Sequence, residues 1–206
     1  MFIFGDSFCA NSESWPTQLA RQLGCDVQVN GHPGASWWRI RTELLAAIQQ
    51  DPSIKDHCDL VIAIHTGNRR TPTNKLLGND REQQQAVDLY YKHIYDDSYD
   101  IWSHQHWFRE LSELFAGSRV INLFTGDMWP EAVQELTGQV VPTCLRDLAI
   151  IQHKNQDTKY FMDDGFRGFR NHFTPENNVV FADQLYRIIT DQQQDFDITK
   201  FKAYND

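Results

Sequence analysis

The chain has 206 residues, of which 41% are hydrophobic and 13% aromatic, and its formal net charge is -9 at pH 7. That length suffices for one domain with a core of its own, and the apolar content excludes a disordered chain. The acidic balance excludes a general nucleic-acid binder, which needs a basic face for phosphates.

In chain order, Phe2-Ile3-Phe4 is a short strand that breaks off into Gly5-Asp6-Ser7. ESWPTQLARQLG (13–24) places Trp15, Leu19 and Leu23 four apart and closes on Gly24, the pattern of a helix with a glycine cap. CDVQVN (25–30) alternates and reads as a strand. SWWRIRTELLAAIQQ (36–50) is an amphipathic helix, with Ser36 as N-cap and Trp37, Ile40, Leu44 and Ile48 on one face. DLVIAIHT (59–66) is a continuous apolar run, as in a strand buried on both sides. Residues 80–116 read as helix in two pieces, broken near DDSYD (96–100). RVINLFTG (119–126) is another buried strand, and QVVPTCL (139–145) a short one that Pro142 confines to an edge. TPENNVVFADQLYRIITDQQQ (174–194) is a final helix, with Thr174 as N-cap and Pro175 at its first position. Residues 192–206 are expected to be a polar tail on the surface.

Strands that alternate with helices predict an α/β class: a mostly parallel central sheet in a three-layer α/β/α sandwich, with residues 1–206 as one domain. No run approaches the ~20 apolar residues of a membrane span. No basic start or cleavage site precedes the first strand, so a cytoplasmic location without membrane association is expected. The four cysteines, Cys9, Cys25, Cys58 and Cys144, form no CxxC and have no His at zinc spacing. They are expected as free, buried or half-buried thiols, which suits a reducing compartment. His104 and His106 lie two apart, so a helix gives them different faces and a packed or solvated pair is expected rather than a metal site. Trp102, Trp107 and Phe108 are expected in the core, or as a roof over the ligand cleft.

In an open parallel sheet, ligands bind at the carboxyl ends of the strands. Those ends here are Gly5-Asp6-Ser7, NGHPGAS (30–36), HTGNRR (65–70) and TGDMW (125–129), with RGFRNHFTPENN (167–178) leading into the last helix. Together they hold a hydroxyl at Ser7, glycines that admit backbone N–H groups to a ligand, an amide at Asn68 and an imidazole at His172. Nucleophile, base and oxyanion donors are the parts of acyl transfer. Each has a plainer reading as well. Ser7 is then a turn residue, Gly34 a tight-turn glycine after Pro33, Asn68 a loop amide and His172 a capping histidine. Arg69 and Arg70 are a solvated pair or a clamp on an anionic substrate group.

These residues, taken in order, resemble the SGNH (GDSL-type) hydrolase superfamily of esterases, lipases and carbohydrate O-acetyl esterases. The likeness runs through most of the chain: Gly5-Asp6-Ser7 for its first block, Gly34 for its second, Asn68 for its third and His172 for its last. The resemblance implies a flavodoxin-like fold, a Ser7 nucleophile, a His172 base and an oxyanion hole of Ser7, Gly34 and Asn68. It implies a small-molecule or carbohydrate ester as substrate and no metal or organic cofactor. Two places depart from the pattern. The third block reads Thr66-Gly67-Asn68 rather than Gly-x-Asn. Phe169 stands where the family carries the aspartate that orients its histidine. Asp163 or Asp164 folding back from MDDGFRGF supplies that partner, Asp164 being slightly favoured; otherwise a backbone carbonyl does and the pair is a dyad. Two other functions stay open: a binding module for an acylated or anionic sugar, and an O-acyltransferase that shares the acyl-enzyme.

Overall fold

The computed structural model describes residues 1–11, 14–67, 71–73, 81–151 and 173–202. Among them are five strands: β1 (Phe2–Gly5), β2 (Gln28–Gly31), β3 (Leu60–His65), β4 (Arg119–Phe124) and β5 (Gln139–Val140). All neighbours pair in parallel, in the order β2-β1-β3-β4-β5. The apolar runs occupy the middle, where a strand needs no polar face, and the two-residue β5 lies at an edge with Pro142 just beyond it.

The helices are α1 (Trp15–Leu23), α2 (Trp37–Gln50), α3 (Ser53–Asp56), α4 (Arg81–His93), α5 (Asp97–Leu114), α6 (Pro130–Val133), α7 (Leu145–Ile151) and α8 (Pro175–Ile189). Successive strand residues face opposite ways, so the sheet feeds two cores. Ile3, Ile62, Ile64, Ile121 and Leu123 pack under α1, α7 and α8, against Trp15, Leu19, Leu148, Phe181 and Leu185. Phe2, Phe4, Val61, Ala63 and Val120 pack under α2 and α5, against Ile40, Leu44, Phe108 and Leu111. The result is the expected three-layer sandwich. Among the described residues, no helix is long and apolar enough to cross a membrane.

The caps are those expected from sequence. Ser36 Oγ accepts the Arg39 N–H, Thr174 Oγ1 accepts the Asn177 N–H, and Gly24 ends α1 in the left-handed region. Three expectations are corrected. Trp107 and Phe108 are core residues, but Trp102 is 51% exposed, because five residues along a helix carry it away from the face of Trp107. Cys25 is exposed, although all four thiols are free. The segment after α8 is more than a surface tail: Phe196 and Phe201 are buried in the α8-side core.

From β1 the chain moves to β2 on one flank, then crosses to β3 on the other. The connections diverge there, which makes the carboxyl ends of β1 and β3 the switch point of the sheet, the place where open α/β sheets bind ligands.

Candidate active site

Ser7 lies just past β1, at that switch point, and its position is fixed from behind. Gly5 runs so close to β3 that a Cβ on it would stand 2.5 Å from the Ile64 carbonyl oxygen, which only glycine permits. Asp6 is fully buried. Its Oδ1 accepts the Phe8 N–H at 3.0 Å and its Oδ2 accepts the Thr125 hydroxyl at 2.9 Å. Thr125, just past β4, also donates its N–H to the His65 carbonyl at 2.9 Å. One carboxylate thus ties the ends of β1 and β4 together across β3. The Asp6 and Ser7 carbonyls accept the Cys9 and Ala10 N–H groups, both at 3.3 Å, which closes a tight turn with Ser7 half-buried on it. Burial, and the nearby Asp6 charge after it, push the Cys9 thiol up, so it stays protonated and takes no nucleophilic role.

The end of β2 is joined to the same place by the His32 N–H, which donates to the Gly5 carbonyl at 3.0 Å. Gly34 follows in an exposed turn with φ 68°, a conformation that glycine adopts without strain. At the end of β3, the His65 ring packs between Phe108 and Phe124 and donates Nε2–H to Asn122 Oδ1 at 3.0 Å. The tautomer follows from Asn122, whose amide nitrogen is spent on the Thr137 carbonyl. Burial pulls the His65 pKa down to about 4 against the support of Asn122, and His104 nearby lowers it further. His65 is therefore neutral and engaged, and unsuited to serve as the base.

Of the site residues read from sequence, Ser7 and Gly34 are found at one sheet edge. Asn68, Arg69, Arg70, Asp163, Asp164, Phe169 and His172 lie outside the described residues. Phe173, next in the chain after His172, is described. Its ring meets that of Phe8, next after Ser7, edge to face at 5.6 Å, and stacks on Phe181 at 4.8 Å. Sequence reasoning missed Asp6 and Thr125 as organisers of the edge. Their partnership joins residues 119 positions apart, and no local pattern marks it. Among the described residues no group of His, Cys, Asp or Glu side chains has the makings of a metal site. Comparison with protein-family models and with curated proteins finds no match for the chain.

Proposed function

We propose that the protein is a serine hydrolase of the SGNH type, which cleaves a carboxylic ester through an acyl-enzyme on Ser7. The observation that carries this reading is the placement of Ser7 at the carboxyl end of β1, where the sheet's connections diverge. A second supports it: the covalent neighbours of Ser7 and His172 are in ring contact, although they come from opposite ends of the chain.

In this mechanism His172 takes the Ser7 proton as the Oγ attacks the ester carbonyl carbon. The oxyanion is held by the N–H groups of Ser7 and Gly34 and the Asn68 amide. Collapse of the tetrahedral intermediate breaks the bond to the alcohol oxygen, which leaves with the proton from His172. Water, deprotonated by His172, then attacks the acyl carbon and frees the acid and Ser7. Asp164 or a backbone carbonyl orients His172, and Arg69 or Arg70 meets an anionic group on the substrate. The substrate is a small-molecule or carbohydrate ester with a short acyl group. No cofactor enters either step.

The test is covalent. A fluorophosphonate probe should label the wild-type chain on Ser7 and leave Ser7→Ala unlabelled, and p-nitrophenyl acetate hydrolysis should disappear with the labelling. A folded wild-type chain that resists the probe overturns the hydrolase. The binding-module reading then takes its place, consistent with Phe169 standing where an orienting aspartate belongs.

A further inference from the structure

A groove crosses the outer face of α8, and the chemistry proposed for Ser7 uses none of its residues. It has two adjoining parts, with volumes of about 490 and 240 Å³, which share Asp183 and Arg187. The larger part lies within the range of small-molecule sites, roughly 300–1,000 Å³. Its floor is Asp183, Tyr186 and Arg187, at positions i, i+3 and i+4 of α8. The walls are tied to that floor by hydrogen bonds. The Gln22 side-chain amide, from α1, donates to Asp183 Oδ1. The Arg187 carbonyl accepts the Gln192 N–H at 2.8 Å and the Gln193 N–H at 3.3 Å, which folds the turn after α8 back over it. Gln184, only 5% exposed, accepts the Asp197 N–H on Oε1 at 2.5 Å and donates Nε2–H to the Asp197 carbonyl at 3.2 Å. That holds the 3₁₀ turn Ile198–Lys200 against α8, where Lys200 lines the smaller part.

The charges in this groove are not paired with one another. Asp183 and Arg187 are four apart on one helix, a spacing at which acid and arginine ordinarily pair. Asp183 bonds Gln22 instead, and among the described residues the Arg187 side chain has no hydrogen bond or ion pair. The Lys200 ammonium has none either, although Asp197 lines the same part. Asp197 Oδ1 is taken by the Thr199 N–H at 3.0 Å and the Thr199 hydroxyl at 2.6 Å. The groove therefore offers two unpaired cations beside two carboxylates, each with its second oxygen open among the described residues. This set selects its ligand. The guanidinium is a planar fork that fits a carboxylate, and it keeps its charge at any working pH. Asp183 Oδ2 accepts from an ammonium. An anion alone would gain Arg187 and face both carboxylates, and a cation alone would face Arg187 and Lys200. A zwitterion answers each charge with its opposite. Tyr186 and Gln192, which line the larger part, carry a hydroxyl and an amide that suit a peptide group between the two charged ends.

We propose that Asp183, Arg187 and Lys200 form a binding site for a small zwitterion of the dipeptide kind, its carboxylate on Arg187 and Lys200 and its ammonium on Asp183. The inference stands apart from the Ser7 chemistry, because binding is read without turnover. The experiment is a titration of the 15N-labelled full chain with glycylglycine, following the Arg187 Nε–H and the Gln22 and Gln192 side-chain amides by NMR. Saturable shifts are expected. N-acetylglycylglycine, which lacks the ammonium, and glycylglycinamide, which lacks the carboxylate, should each bind about tenfold more weakly or worse. Asp183 and Arg187 are exposed, so Arg187→Gln and Asp183→Asn should fold as the wild type does, the latter keeping an acceptor for Gln22. Each should weaken glycylglycine binding about tenfold. The proposal is overturned if glycylglycine gives no saturable shift, which would make this a solvated groove only, if either blocked dipeptide binds as tightly, or if both variants bind as the wild type does. Persistence of binding in a chain that fluorophosphonate cannot label would retain this site while removing the hydrolase.

Discussion

His65 carries its burial as a liability toward acid. Its folded pKa of about 4 lies below the ordinary 6.5, so the unfolded chain binds the proton first. Stability from this group is therefore complete above pH 6.5, declines as pH falls toward 4, and declines no further below that. Each unit between the two values is worth about 1.4 kcal/mol, so the loss across the window is about 3 kcal/mol. Urea denaturation at a series of pH values should show it. His65→Gln, which keeps an amide donor for Asn122, should flatten the curve by that amount between pH 6.5 and 4. An unchanged slope would mean that another group sets the acid sensitivity. Nothing in DLVIAIHT announces this, because one histidine at the end of an apolar run looks the same whether it is solvated or enclosed between two phenylalanines. Asp6 was obscure for a related reason. In the sequence it is the middle of a turn, and only the fold brings Thr125 to its second oxygen.

Elements were most legible where their periodicity was strong. β1, β3 and β4 are apolar runs, and α1, α2 and α8 carry both a stripe and a cap, so pattern and punctuation agree. The four-residue α3 and α6 are too short to have a period, and they form because neighbouring helices give them something to pack on. The approach of β1 to β3 was equally hidden, although it fixes the backbone two residues before Ser7. Gly5→Ala puts a Cβ at 2.5 Å from the Ile64 carbonyl oxygen and 2.6 Å from the Ile64 Cβ, on a backbone with φ 151°. The expected loss in chemical denaturation is about 3 kcal/mol, from crowding and strain together. Ile64→Val should not rescue it, since valine keeps both offending atoms. A Gly5→Ala chain as stable as the wild type would show that the strands can part without cost.

On the scale of the whole molecule, the segment after α8 closes the α8-side core. Phe196 stacks on Phe181 at 4.9 Å and Phe201 lies 5.7 Å from Phe173, so this segment supports the ring that meets Phe8. Two lone aromatics among polar residues have no period to read, which is why composition described a surface tail. Phe201→Ala should lower stability by about 3–5 kcal/mol. Ile198→Ala, in the same segment but half exposed, should change it by only about 0.5 kcal/mol. Equal effects at the two positions would return the segment to the surface. The contact between Phe8 and Phe173 also bears on time. A ribosome delivers residue 8 well before residue 173, and contacts of such sequence separation form late in folding as well. An unfinished chain can pair β1 with β2 and β3 while the ring beside Ser7 still lacks its partner. The edge that carries the candidate nucleophile is thus completed only after residue 173 has emerged, which withholds its final packing from every shorter nascent form.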